Sequence, residues 1–161
     1  MAIKEGDKVP SQILRVQGED GNVKQIFTDE YFAGRTVILF GVPGAFTRTC
    51  SAKHLPGFVK NAGAIKAKGV DEIACVSVND AAVMCAWGMA HGADGKVSML
   101  ADGNADFAAA IGMDMDRRSN GMGTRSRRYS MLVQDGVIKK FNVEPEGSYG
   151  VSSAEVMLEQ L

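Results

Sequence analysis

Three short runs, TVILFGV (36–42), DEIACVSV (71–78) and VSMLA (97–101), are almost continuously apolar and rich in strand-forming residues. A strand with one wet face alternates polar with apolar, so a run without alternation needs cover on both faces. The intervening segments supply that cover at helical spacing. After the first run, Leu55, Phe58, Val59, Ala62 and Ile65 form an apolar stripe, with a kink expected at Pro56-Gly57. Asn79-Asp80 offers capping residues for DAAVMCAWGMAH, which carries Val83, Ala86, Trp87 and Ala90 on one face. NADFAAAIG reads as a short helix closed by Gly112. Strand and helix thus alternate, which builds a parallel sheet with helices packed on it.

Antiparallel pieces flank this unit. QILRV and VKQIF alternate around EDGN as an N-terminal hairpin, and RRYSMLVQ and VIKKFNV flank Asp135-Gly136, a strong two-residue turn signal. Ser152-Ser153 opens a final helix ending at Leu161. The expected fold is α/β: a mixed central sheet flanked by helices, thioredoxin-like in topology, with the N-terminal hairpin as an insertion. At 161 residues one domain, 1–161, is expected. A net charge of -1 gives no basic patch for nucleic acid, and no run of 18 apolar residues offers a membrane span. The start MAIKEGDKVPS has neither the apolar core of a secretory signal nor the bias of a transit peptide, so a cytoplasmic location is expected.

The cysteines are Cys50, Cys75 and Cys85. Their odd number, without a CxxC or a Cys/His cluster, argues against a disulfide framework and against a structural zinc site; no metal or cofactor is expected. Cys75 lies mid-strand, where cysteine is usually small core filler. Cys85 falls on the helix face opposite Val83, Ala86 and Trp87 and reads as exposed and incidental. His54 follows Cys50 by four residues, but this spacing alone is a weak metal signal, and a structural role is expected. His91 ends a helix and needs no function.

Cys50 is different. It closes GVPGAFTRTC (41–50), where a buried strand hands over to a helix, and in open α/β sheets sites lie outside the carboxyl ends of the strands. The N–H groups and macrodipole of a helix start favour an anion, here a thiolate. Thr47, three residues earlier, can hydrogen-bond a thiolate or a bound oxygen ligand. Pro43 has no N–H and stiffens the loop, so it can shield the sulfur from water.

The pattern P-x-x-x-T-x-x-C resembles the active-site signature of the peroxiredoxins, and PGAFT-x-TC resembles the type-II subgroup. The resemblance continues through KHLPGF (53–58), CVSVND (75–80), AW (86–87), LADG (100–103), GTRSRRY (123–129) and VSSAE (151–155). It implies a thiol peroxidase acting on hydrogen peroxide and alkyl hydroperoxides. Cys50 would be its peroxidatic cysteine, Thr47 the hydroxyl partner, Pro43 the shield and Arg128, just before Tyr129, the thiolate's arginine. The run RSRR offers Arg125 and Arg127 as rivals: if Tyr129 and Met131 point into the core, strand alternation sends Arg127 with them, unless the strand is bulged or begins later, so Arg128 rests on the motif. It also implies a homodimer packed through the loops beside the site. One departure is Arg48, which stands where this subgroup usually has proline; a solvent-facing loop position explains it, and the alternative is an extra cation.

The resemblance places a resolving cysteine near the C-terminus of the animal form, but GSYGVSSAE (147–155) has none. Cys75, four residues before Asn79, is expected roughly 13 Å below the rim of the sheet at about 3.3 Å per residue, against the 7 Å or so that a disulfide spans. The expected reductant is therefore an external thiol, glutathione with glutaredoxin first and thioredoxin second. The chemistry demands more than a thiolate. A thiol of pKa about 8.5 is about 3% ionised at pH 7, so full ionisation gains roughly 30-fold, about 2 kcal/mol of the 8 or so that a modest enzyme needs. Donors aimed at the stretching O–O bond must supply the rest. Two other classes compete: a redox sensor that passes oxidation on without turnover, and a holdase-like assembly. Neither needs the full set Pro43, Thr47, Cys50 and Arg128.

Overall fold

The computed structural model describes residues 2–161. Its chain order is β1 (Ile13–Gln17), β2 (Val23–Phe27), α1 (Thr28–Phe32), β3 (Thr36–Val42), a π-helical turn (Cys50–His54) running into α2 (Leu55–Ala67), β4 (Glu72–Ser77), α3 (Ala81–Ala90), β5 (Ser98–Ala101), α4 (Asp106–Ala110), β6 (Asp114–Asp116), β7 (Thr124–Ser126), β8 (Tyr129–Gln134), β9 (Val137–Val143) and α5 (Ala154–Gln160). Seven strands form one sheet in the order β2-β1-β5-β4-β3-β8-β9, while β6 and β7 pair as a separate ribbon. The three apolar runs are its parallel centre, β5-β4-β3, and both hairpins add antiparallel strands outside it. Asp135 and Gly136 both take positive φ, as a two-residue hairpin turn requires.

Both faces of the sheet are covered, so each central strand feeds two cores in alternation. Ile38, Phe40 and Val42 of β3, with Ile73 and Cys75 of β4, pack against α2, α3 and α5. Val37, Leu39, Ala74 and Val76 face the other way, with Phe32 of α1 and Phe107 of α4. Gly41 marks a point of close approach: opposite it in register stands Tyr129, and a side chain at 41 would overlap that ring.

One expectation takes a different form and one needs correction. Pro56 stands in the first turn of α2, and the departure from α-helical hydrogen bonding lies just upstream of it, in the π-turn Cys50–His54. The buried face of α3 is Ala81, Met84, Trp87 and Gly88, whereas Ala86 and Ala90 are exposed. Ten residues that are nearly all apolar carry no sharp periodic signal, so their pattern could not fix the inward face. Asp80 caps α3 as expected, accepting from the Val83 N–H, and Ser153 caps α5 through the Val156 N–H.

Candidate active site

The loop after β3 delivers Cys50 to the carboxyl end of the sheet, and several contacts stiffen it. The Asn79 side-chain oxygen accepts from the Ala45 N–H at 2.9 Å and from the Ser77 hydroxyl at 2.6 Å, tying the loop to the end of β4. Arg125 reaches the Pro43 carbonyl at 3.3 Å, passing where a side chain at Gly44 would stand. Trp87 of α3 donates its indole N–H to the Ser51 hydroxyl at 2.9 Å, anchoring the π-turn one residue past Cys50. Phe46 holds a left-handed φ of 62° and is 56% exposed. None of these braces shows in local sequence spacing, because each partner comes from another element.

The sulfur of Cys50 is fully buried, and Arg128 donates to it through Nη2 at 3.1 Å. A guanidinium at that distance sets a positive charge and an N–H donor directly on the sulfur. The register question over the arginines resolves through the two-sided core. Tyr129 and Met131 point to the face opposite Cys50, so alternation sends Arg128, with Leu132, to the Cys50 face. Also, β8 begins only at Tyr129. Arg127 instead donates to the Glu144 carbonyl at 3.3 Å, and Arg125 braces the loop through the carbonyls of Met122 and Pro43.

Thr47 lies beside the site, and its hydroxyl donates to the Gly44 carbonyl at 2.6 Å rather than to the sulfur. That bond uses its single proton and leaves oxygen lone pairs to accept from a ligand O–H. Pro43, Thr47, Arg48 and Arg128 line the mouth of a cavity of about 370 Å³ that continues over Met115 and Tyr149. Arg48 is exposed at its rim, in keeping with a solvent-facing loop position.

His54 fills the structural role expected of it in a specific form. It is wholly buried, with Nδ1 at 2.8 Å from Nη1 of Arg128 and Nε2 at 3.0 Å from the Ser152 carbonyl. Burial and the adjacent Arg128 charge push its pKa down to about 3. Its partners lie 74 and 98 residues away in sequence, beyond the reach of any local pattern.

Cys75 is buried in the same apolar cluster as Cys50, and β4 ends at Ser77, two residues after it rather than four. Its depth below the rim is therefore about 7 Å, not 13. Burial pushes its thiol well up, and the nearness of the Cys50 thiol adds to the effect. Cys85 is half-buried rather than exposed, on a smaller cavity with Met89 and Met99. His91 caps the end of α3 as expected. Among the described residues, no group of three His, Cys, Asp or Glu side chains converges on a point that would hold a metal ion, and no helix is long and apolar enough to cross a membrane.

The family model for Redoxin matches residues 4–158. "Peroxiredoxin-2E-2, chloroplastic" of Oryza sativa subsp. japonica is 51% identical over 160 residues, covering 97% of this chain and 71% of that protein. "Peroxiredoxin-2B" of Arabidopsis thaliana is 44% identical over 156 residues, covering 97% of this chain and 96% of that protein. Among solved structures, reduced Prx3 of Vibrio vulnificus in complex with hydrogen peroxide superposes with a TM-score of 0.94 at 47% identity, covering 98% of each chain.

Proposed function

From the premise that the chain belongs to the type-II peroxiredoxins, thiol peroxidases of the redoxin family, we propose that Cys50 is the nucleophile and that Arg128, Thr47 and Pro43 complete its site. One observation carries the assignment: Arg128 Nη2 donates to Cys50 Sγ at 3.1 Å, beside a cavity that Pro43 and Thr47 line. The thiolate attacks one peroxide oxygen in line, and the O–O bond breaks toward the other. The departing oxygen takes a proton to leave as water or alcohol, and Cys50 becomes a sulfenic acid. Thr47 accepts from the peroxide O–H, which orients the attacked oxygen, while Arg128 faces the charge moving from sulfur to oxygen. The peroxide-bound state of the Vibrio vulnificus relative supports hydrogen peroxide as a substrate, and the volume of the cavity supports alkyl hydroperoxides beside it.

The sulfenic acid is reduced by an external thiol, glutathione with glutaredoxin first and thioredoxin second. An external thiol attacks sulfur and releases water, and a second thiol frees Cys50 by exchange. Cys75 is wholly buried within a strand, so a bridge to Cys50 requires the π-turn to unwind. That supports the external route, although at about 7 Å of depth the barrier is smaller than the longer strand implied. The protein works as a homodimer; the exposed Phe46, held out by strained backbone beside the site, supports a contact there. Three free thiols support a reducing compartment such as the cytosol.

Peroxide consumption with a supplied thiol tests the assignment. Cys50→Ser is expected to abolish turnover, and Cys75→Ser and Cys85→Ser to leave most of it. Full turnover in Cys50→Ser would remove Cys50 from the chemistry. A single oxidation without turnover would favour the redox-sensor reading.

A further inference from the structure

We infer that His54 is a positioning residue: its neutral ring, held by a loop that Glu144 ties down, fixes the guanidinium of Arg128 against Cys50. The inference rests on the roles given above to Cys50 and Arg128.

The partners of His54 settle its tautomer. The Ser152 carbonyl can only accept, so Nε2 carries the proton; the Arg128 guanidinium can only donate, so Nδ1 presents its lone pair. Arg128 uses the two prongs of one rigid plane, Nη1 on His54 and Nη2 on Cys50. Fixing one prong therefore fixes the other. The choice of a neutral acceptor matters. A carboxylate at that position would compete with the thiolate for the cation, whereas an imidazole holds the guanidinium and leaves its charge facing sulfur. Burial and the Arg128 charge keep the ring unprotonated at working pH.

The ring is itself clamped. Phe40 and Phe58 pack at 4.8 and 5.6 Å between centroids, and Tyr149 meets it edge-on at 5.4 Å. Ser152 is placed by the buried Glu144 carboxylate, which accepts from the Gly150 N–H at 2.6 Å, the Ser152 N–H at 2.8 Å and the Ser152 hydroxyl at 2.7 Å. Burial alone would raise the Glu144 pKa, but these hydrogen bonds outweigh it and hold the carboxyl below its usual range. An unbroken hydrogen-bonded path thus runs from Glu144 through Ser152, His54 and Arg128 to the sulfur. Glu144 also directly follows β9, so the path is fastened to the sheet at its far end.

Three full-length variants test this: His54→Asn, His54→Gln and Glu144→Gln. Asparagine sets a carbonyl oxygen near the place of Nδ1 and keeps the acceptor for Arg128; glutamine sets an amide nitrogen near Nε2 and keeps only the bond to Ser152. Rates of Cys50 with hydrogen peroxide and with iodoacetamide are compared at alkaline pH, where the thiol is ionised in every variant. His54→Gln is expected to slow the peroxide reaction by about 10- to 100-fold without an equal fall in alkylation, and His54→Asn to keep most of the peroxide rate. Equal peroxide rates in the Asn and Gln variants, or parallel losses with both reagents, would overturn the inference and leave His54 as packing. Should His54→Gln not fold, Glu144→Gln decides. Faster hydrogen exchange at Gly150 and Ser152 with a slower peroxide reaction supports the path; faster exchange with an unchanged peroxide rate overturns it. Turnover surviving in Cys50→Ser would instead remove the peroxidase site itself, which separates the two failures.

Discussion

At the scale of single residues, the site divides by sequence distance. Pro43, Thr47 and Cys50 were legible because one loop carries all three and each type has a defined chemical use. Arg128 was legible only with the motif, since alternation judged against a single buried face favours Arg127. The sheet has two buried faces, and Tyr129 and Arg128 serve opposite ones. Arg128→Met is therefore expected to slow peroxide attack by about 100-fold even where the thiol is fully ionised, as loss of a donor to the developing charge does. Arg127→Met, which loses a contact to a backbone carbonyl, is expected to do far less. Stopped-flow rates at alkaline pH distinguish them, and exchanged effects would move the role to Arg127. His54 adds a pH dependence of stability. Its pKa in the fold is about 3, against about 6.5 in an unfolded chain, so below pH 6.5 the unfolded state takes up a proton that the fold refuses. Stability is expected to fall as pH drops through that window, by up to about 1.4 kcal/mol per pH unit. The neighbouring charges are Arg128 and Glu144. The Glu144 contribution, present above its unfolded value, is lost only as pH falls through its lower folded value. The difference between wild type and His54→Asn in denaturant melts from pH 7 to 5 thus reports the histidine, and the variant is expected to show the flatter slope.

At the scale of elements, continuous apolar runs and paired turn residues carried most of the information. The parallel strands, both hairpins and the caps at Asp80 and Ser153 stood where local physics put them. The short ribbon of β6 and β7 and the helix α1 lay too close in length to ordinary loop to be seen. The π-turn was also hidden, because it is set by tertiary contacts, the Trp87 bond to Ser51 among them, rather than by composition. A one-turn π-helix under a reactive residue is a common functional departure from regular helix. Gly41 shows how an element interior serves the fold: its missing side chain is the space that the Tyr129 ring occupies. Gly41→Ala is expected to destabilise the protein by about 1–3 kcal/mol through overpacking. An unchanged midpoint in chemical denaturation would show that Tyr129 moves aside at no cost.

At the scale of the whole molecule, the two-faced sheet gives the active loop a rigid floor and leaves Phe46 on the outside. A homodimer built on this loop is expected to sediment at twice 17.1 kDa under reducing conditions at micromolar concentration. Phe46→Ser is expected to shift the balance to monomer and slow peroxide turnover with it. A fully active monomer would separate assembly from catalysis. The chemistry itself is tested most directly by mapping where one equivalent of hydrogen peroxide leaves its oxygen. With the reduced protein and no added thiol, peptide mass spectrometry is expected to find a single sulfenic acid on Cys50, with Cys75 and Cys85 untouched, and added glutathione is expected to convert it to a mixed disulfide. Peroxide consumed with the oxygen on Cys75 or Cys85, or a stoichiometric Cys50–Cys75 disulfide with turnover lost in Cys75→Ser, would contradict a single-cysteine peroxidase.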